Sequence, residues 1–131
     1  MGTPERFDRY LSWDPERAPV GSREEFLAFC GTVGLGRLAA EGHAELLPRL
    51  RALASDPRWR VREGVAMALQ RLGVADMRAL LSEMHVWATG SDYERRAAAA
   101  ALCEPILLER EEDVRAVLTI LDVVTGALAL G

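Results

Sequence analysis

Two stretches of this chain repeat one pattern. Residues 62–69 read REGVAMAL and residues 95–102 read RRAAAAAL, so the second copy starts 33 residues after the first (95 − 62). A helical unit of this length cannot bury its apolar side alone, and stacked neighbours must cover it. The repeat therefore predicts a stack of helical units that presents one long face. Such an architecture usually binds other molecules rather than catalysing a reaction.

Apolar residues recur at helical spacing along the chain, and no alternating strand pattern is visible. The turn Ser55-Asp56-Pro57 divides one helix pair, and Thr89-Gly90-Ser91 divides the next, where Ser91 and Glu94 match a capping box. We expect an all-α fold, a short right-handed α-solenoid of antiparallel helix pairs with about three units in one domain, 1–131. The expected units span about 3–42, 45–73 and 76–104, followed by a terminal helix over 111–128.

Glycines interrupt the predicted helices at two places. Gly31, Gly34 and Gly36 lie inside the helix that opens near Ser22, and each costs about 1 kcal/mol relative to alanine. We expect close helix contact to compensate for this cost. Gly73 follows the second apolar stripe and is predicted to end its helix as a C-cap.

Composition limits the class of protein. Half of the residues are hydrophobic and only 6% are aromatic, which suits closely packed helices. Arginine is abundant and lysine is absent, a bias typical of a GC-rich bacterial genome. Cys30 and Cys103 form no CxxC pair and no secretory signal precedes them, so we expect reduced, buried thiols and a cytoplasmic location. The uncharged runs are shorter than the ~18 residues of a membrane helix.

Charge is unevenly distributed along the chain. The net charge is −4, yet residues 46–100 hold nine arginines against six carboxylates. This basic middle suggests an anion-facing surface. The acidic whole disfavours strong nonspecific binding of nucleic acid.

The second unit resembles a HEAT repeat. The resemblance is carried by Leu50, Leu53, Asp56-Pro57, Val61-Arg62-Glu63, Ala66, Ala68-Leu69 and Leu72-Gly73. The spacing of 33 to 34 residues is shorter than the usual ~40–47, and ankyrin and tetratricopeptide signatures are missing. The resemblance implies a solenoid whose second helices line the concave side. It also implies structural roles for Asp56 and Arg62 in supporting neighbouring repeats.

Function is expected on the side of the second helices that packing leaves open. Opposite the apolar stripe of residues 59–72 lie Arg60, Gly64, Met67 and Arg71, and the next unit adds Tyr93, Arg96 and Ala97. We predict a noncatalytic interaction scaffold that binds a peptide or protein partner on this concave face. The alternative, that Gly64 and the alanine run simply pack against another helix, stays open.

An enzymatic interpretation rests on a second resemblance. Residues 87–98, WATGSDYERRAA, are similar to a pattern of DNA-alkylation-repeat glycosylases, which are themselves HEAT-like. That resemblance implies that Trp87 and Tyr93 stack on a damaged nucleotide, that Asp92 stabilises positive charge and that Arg96 holds phosphate. The acidic net charge and the lack of a second aromatic and acidic set argue against it.

Other catalytic patterns are missing from the sequence. His43 and His85 belong to no HExxH motif, and no nucleophile elbow or phosphate loop is visible. We therefore expect no metal and no cofactor, and we favour a noncatalytic protein while the glycosylase alternative stays open.

The C-terminal segment carries more apolar residues than one neighbouring helix covers. These residues are Val117, Leu118, Ile120, Leu121, Val123, Val124, Leu128 and Leu130. Either the chain is a piece of a longer repeat protein, or the segment pairs with a second copy through Val124 and Leu128 in a two-fold dimer. The sequence does not identify the partner, and it leaves the oligomeric state open.

Overall fold

The computed structural model describes residues 3–17, 20 and 22–130, with the side chains of residues 127–130 outside the description. Within this part the chain forms seven α-helices and no strand. They are α1 (Pro4–Leu11), α2 (Arg23–Ala40), α3 (Leu47–Leu53), α4 (Trp59–Ala75), α5 (Met77–Trp87), α6 (Asp92–Leu102) and α7 (Glu111–Leu130). Short 3-10 turns at Ala44–Leu46 and Pro105–Leu107 precede α3 and α7. The all-α prediction is confirmed.

Side-chain caps begin most of these helices. The Thr3 hydroxyl accepts a hydrogen bond from the backbone N–H of Arg6, and Ser22 accepts one from Glu25 in the same way. Ser91 and Glu94 form the predicted capping box at α6. Each cap satisfies a backbone donor that the first helical turn leaves unpaired. The helix starts are therefore fixed by local sequence.

The helices pack as consecutive pairs in two layers. Helix α1 packs on α2, α3 on α4 and α5 on α6, while α2, α4 and α6 pack side by side as an inner layer. Helix α7 contacts both α5 and α6. This is the predicted short α-solenoid of antiparallel helix pairs.

One continuous core runs between the two layers. Its largest fully buried side chains are Trp87, Leu35, Leu50, Leu69, Leu80, Met84, Leu102 and Ile120. Val124 is also buried, at 4% exposure, and it packs into this core from α7. The prediction that Val124 contributes to an open apolar face is therefore wrong, because α7 turns that side chain toward α5 and α6. The Leu128 side chain lies outside the described residues.

Glycines in α2 allow this helix to approach both α4 and α1 closely. A Cβ at Gly36 would lie 2.4 Å from Ala68 Cα in α4, and one at Gly34 would lie 2.4 Å from the Phe7 ring. These contacts confirm the predicted close approach. The predicted C-cap at Gly73 is wrong, because α4 continues through Gly73 to Ala75. The side chains of Leu80 and Leu107 occupy the space where a Cβ at Gly73 would lie.

The turn between α3 and α4 contains a buried ion pair. The Asp56 carboxylate accepts hydrogen bonds at 2.9 Å from the backbone N–H, Nε and a terminal nitrogen of Arg58. Arg58 also donates to the carbonyl oxygen of Trp13 at 2.7 Å, and its side chain is 3% exposed. Hydrogen bonding to Asp56 raises the pKa of Arg58 above its usual value despite the opposing effect of burial. The contact links the segment after α1 to the second helix pair.

The two cysteines differ in environment. Cys30 is half-buried and Cys103 is exposed, so the prediction of two buried thiols is wrong for Cys103. Cys103 caps the C-terminus of α6, one residue beyond the buried Leu102. Burial raises the pKa of the Cys30 thiol. In the part of the chain that is described, every helix is too short or too polar to cross a bilayer.

Candidate binding groove

An open groove lies in the inner layer between α4 and α6. Its volume is ≈ 260 Å³. Small side chains form the floor, and aromatic and charged side chains form the rim. The lining residues are Ala54, Trp59, Arg62, Glu63, Ala66, Tyr93, Arg96, Ala97 and Ala100.

Helical periodicity explains which residues line the groove. On α4 the lining residues are 59, 62, 63 and 66, and on α6 they are 93, 96, 97 and 100. Both sets follow the spacing i, i+3, i+4 and i+7, which places their members on one side of a helix. Two such sides face each other because α4 and α6 are neighbours in the inner layer.

Arg62 is held in the groove by two contacts. Its guanidinium carbon lies 4.9 Å from the centre of the Tyr93 ring, a cation-π arrangement across two repeats. One terminal nitrogen also donates to the carbonyl oxygen of Asp56 at 2.7 Å. Arg62 therefore joins the turn of its own unit to the first residues of α6. The geometry agrees with the structural role that the HEAT resemblance implies, although that role stays a prediction.

The carboxylates at the start of α6 already have cationic partners. Glu94 pairs with Arg51 and Asp92 pairs with Arg95. Burial raises the pKa of Glu94, but hydrogen bonds from Arg51 and Ser91 outweigh it and hold the pKa below its usual value. These two acids are therefore neutralised within the fold.

Several arginines on α4 and α6 are not paired in this way. Arg62 and Arg96 line the groove and form no ion pair with any described residue, and the same holds for the exposed Arg60 and Arg71 outside it. Glu63 is the one groove-lining carboxylate, and it also lacks an ion pair among the described residues. The groove lining therefore has an excess of free positive charge.

The structure brings together only part of the predicted binding face. Tyr93, Arg96 and Ala97 meet in the groove, where Ala97 forms part of the buried floor. Gly64 does not reach it, because a Cβ at Gly64 would lie 3.2 Å from Phe29 and 3.3 Å from Thr32, both on α2. The placement of Gly64 on an open face is wrong, since α2 covers that side of α4.

The other predicted α4 residues lie outside the groove. Met67 and Arg71 are exposed without lining it, and Arg60 stacks its guanidinium 5.7 Å from the Trp59 ring centre. Residues 59, 62, 63 and 66 take their place. The apolar stripe indicates only which side of α4 lies opposite the core, whereas α4 is also flanked by α2 and α6. The common i, i+3, i+4, i+7 spacing of 59–66 and 93–100 is the signal that would have identified the groove.

Exposed aromatic side chains lie near the start of each inner helix. Phe26 on α2 is 55% exposed, Trp59 on α4 is 54% exposed and Tyr93 on α6 is 39% exposed. Successive members of this aromatic row are 33 and 34 residues apart, the interval of the repeat. Phe29 stacks against Phe26 with ring centroids 6.1 Å apart. The repeat therefore displays one aromatic side chain per unit.

The residues of the alternative DNA-lesion site do not form one surface. Trp87 is 0% exposed, and its indole nitrogen donates to Glu83 at 3.1 Å inside the fold. A buried ring cannot stack on a nucleotide, so the assignment of Trp87 to that role is wrong. The sequence carries a signal of this burial, because Leu80, Met84 and Trp87 follow one another at helical apolar spacing on α5.

The described part of the chain contains no cluster of three or more histidine, cysteine, aspartate or glutamate side chains arranged to hold a metal. His43 contacts the Glu45 carboxylate at 3.0 Å on the surface. The pKa of the Glu45 carboxyl is lowered, because this group accepts hydrogen bonds from the Glu45 backbone N–H and from the His43 side chain.

Comparison with known proteins identifies one family. A family model described as HEAT repeats matches residues 34–103, which include α4, α5, α6 and the groove. Searches of curated proteins and of solved structures give no match. Since residues 34–103 are more than half of the chain, the protein belongs to the HEAT-repeat family.

Proposed function

We propose that this protein is a noncatalytic interaction scaffold that binds a peptide or protein partner on its concave helical face, in the groove between α4 and α6. The proposed repeat units are about 3–42, 45–73 and 76–104, with a terminal helix over 111–128. The observation that carries the proposal is the groove, an open surface between two repeats with a floor of alanines and an aromatic rim. A bacterial source and a cytoplasmic location stay predictions from composition.

The small volume and the lining of the groove favour a protein partner over a small molecule. Its volume of ≈ 260 Å³ is below the roughly 300–1,000 Å³ of small-molecule pockets. Ala66, Ala97 and Ala100 are short enough for a partner's backbone or side chains to approach the helices closely. Trp59 and Tyr93 offer aromatic contact area at low entropic cost, as interface anchors do.

The proposal is tested by filling the groove. Ala100 is exposed and lines the groove, so Ala100→Trp adds a large side chain there without entering the core. Ala52 is exposed on α3 in the outer layer, which makes Ala52→Trp a matched control. We expect peptides selected from a displayed random library on the wild-type protein to bind Ala52→Trp normally and to lose affinity for Ala100→Trp.

Two outcomes contradict the proposal. One is that no peptide is enriched by the wild-type protein. The other is that the enriched peptides bind Ala100→Trp as tightly as Ala52→Trp, which places binding elsewhere. Circular dichroism of both variants serves as the check that the fold is retained.

The glycosylase alternative is not proposed, because the burial of Trp87 removes one of its two stacking residues. Self-association through Val124 and Leu128 is not proposed either. Val124 lies in the core, so it is not available for an interface between copies.

A further inference from the structure

We propose that the groove between α4 and α6 selects an acidic segment of the partner, with carboxylates held by Arg62 and Arg96 and apolar neighbours packed on Trp59 and Tyr93. The inference rests on the proposed scaffold function and names the chemistry of its partner. Its basis is the contrast between paired and unpaired charges around one groove.

The unpaired charges favour a negatively charged ligand. Internal partners neutralise Asp92 and Glu94, whereas Arg96 lines the groove with no ion pair to a described residue. Arg62 donates to a carbonyl oxygen, which leaves its full positive charge uncompensated. Against these two cations the groove presents one carboxylate, Glu63. The local charge is therefore positive on a chain whose net charge is −4.

The geometry of Arg62 favours a carboxylate in particular. Its contacts with Tyr93 and with the Asp56 carbonyl fix the plane of the guanidinium group. One terminal nitrogen is engaged with that carbonyl, and the other N–H donors are left for a ligand. A planar, pre-oriented guanidinium loses little entropy when it binds a carboxylate through paired hydrogen bonds. Arg96 follows Tyr93 by three residues and lines the same groove, so it offers a second site one helical turn along α6.

The aromatic residues indicate what should flank the carboxylates. Trp59 is more than half exposed at the groove rim, and Tyr93 lies at the opposite rim. Large exposed rings gain free energy when apolar side chains cover them. A partner that alternates acidic and apolar residues satisfies both the arginines and the rings.

The same contacts argue against a single-stranded nucleic acid. Stacking platforms need free aromatic faces. Here Arg62 lies over the Tyr93 ring and Arg60 lies over the Trp59 ring, so each ring keeps one open face, which an apolar side chain can cover but which cannot hold bases on both sides of the ring. A nucleic acid strand carries a phosphate at every nucleotide and would be repelled where it passes Glu63, whereas an alternating peptide can place an apolar residue there. We therefore favour a peptide over a nucleic acid strand.

The test uses two fluorescent peptides that differ in charge only. One alternates aspartate with leucine, and the other replaces each aspartate with asparagine. Arg96→Gln removes a groove cation, and Arg78→Gln, which changes an exposed arginine on α5 in the outer layer, is the matched control. We expect the aspartate peptide to bind in a salt-sensitive manner. Arg96→Gln should weaken it about tenfold, the loss typical of a charge-assisted hydrogen bond, and Arg78→Gln should leave it unchanged.

Several results overturn the inference. If the two peptides bind with equal affinity, or if the aspartate peptide does not bind, the groove has no preference for acidic partners. Equal effects of Arg96→Gln and Arg78→Gln place the binding outside the groove. Oligothymidine is a further probe. If it displaces the aspartate peptide from the wild-type protein and binds Arg96→Gln more weakly than the wild type, the groove binds nucleic acid instead. The scaffold function is tested separately, by the library selection with Ala100→Trp and Ala52→Trp.

Discussion

Replacing Gly36 with alanine tests how closely α2 and α4 must approach. The new Cβ would lie 2.4 Å from Cα, 2.5 Å from Cβ and 2.8 Å from the carbonyl oxygen of Ala68. Carbon atoms in ordinary contact are about 3.5–4.0 Å apart, so the two helices would have to separate by about 1 Å. No side-chain rotation can relieve the clash, because the atoms that obstruct the methyl group belong to the backbone and Cβ of Ala68.

The expected change in stability follows from two opposing contributions. Alanine is favoured over glycine inside a helix by about 1 kcal/mol. Overpacking costs about 1–3 kcal/mol, and we expect the upper part of that range because backbone must move. The net loss for Gly36→Ala is therefore about 2 kcal/mol. At Gly126 on α7 a Cβ would meet nothing within 4 Å, so Gly126→Ala should instead stabilise the protein by about 1 kcal/mol.

Urea unfolding followed by far-UV circular dichroism measures both changes in the same scaffold. The denaturant slope should stay constant if each substitution alters stability alone. The two variants should differ by about 3 kcal/mol, with opposite signs relative to the wild type. If Gly36→Ala is as stable as Gly126→Ala, the close contact between α2 and α4 does not exist and the arrangement of the inner layer is wrong.

Three further predictions concern the polar contacts. Arg58→Ala leaves the buried Asp56 carboxylate without its partner, so we expect a loss of about 3–5 kcal/mol in unfolding free energy, and a change below 1 kcal/mol would show that the pair is not buried. Arg62→Ala removes the hydrogen bond to the Asp56 carbonyl and the contact with Tyr93. Thermal unfolding should show a loss of about 1–3 kcal/mol in unfolding free energy, and an unchanged melting temperature would exclude a structural role for Arg62. The pKa of Glu94 is lower in the folded protein than in the unfolded chain, where it is about 4.3. Its carboxylate therefore stabilises the fold above the unfolded pKa, and this contribution is lost as the pH falls through the folded pKa. Glu94→Gln should be less stable than wild type at neutral pH and should lose less stability in acid. Parallel acid dependence in the two proteins contradicts that last assignment.

The sequence predicted the fold well because the fold depends on local signals. Helix periodicity, the capping residues Thr3, Ser22 and Ser91, and the turn at Asp56-Pro57 act within a few residues of one another. Such signals can be recognised in a single sequence, because they do not depend on tertiary contacts. The helix bounds follow from them closely, with the exception of the C-terminus of α4.

Gly73 shows where local reasoning fails. A glycine after an apolar stripe commonly ends a helix through a left-handed conformation. Among the described residues a positive φ occurs at Gly42, with φ 110, and not at Gly73. What selects glycine at position 73 is the approach of Leu80 and Leu107, which are distant in sequence or on another element. The next helix starts only at Met77, and the preceding Asp76 caps it by accepting a hydrogen bond from the backbone N–H of Ala79.

The site was harder to predict than the fold, because an open face depends on which neighbours cover a helix. Gly64 and Ala97 look alike in the sequence as small residues opposite an apolar stripe. The structure places Gly64 under α2 and Ala97 on the groove floor. Arg58 likewise looks like one more surface arginine until the turn brings it to Asp56 and to the carbonyl of Trp13. Contacts between units decide these cases.

The link from Arg58 to Trp13 has a consequence for how the chain loses its structure. In a stack of repeats, stability is roughly the sum of the stability of each unit and the coupling between neighbours, as in a one-dimensional Ising chain. The buried Arg58 contact and the long packing of α2 along α4 make the first coupling strong, whereas α6 meets α7 over a short stretch. Amide hydrogen exchange should then show protection that declines from the first two helix pairs toward α7. A chain of this kind frays from one end, and it keeps the α2 and α4 pair as its last folded unit.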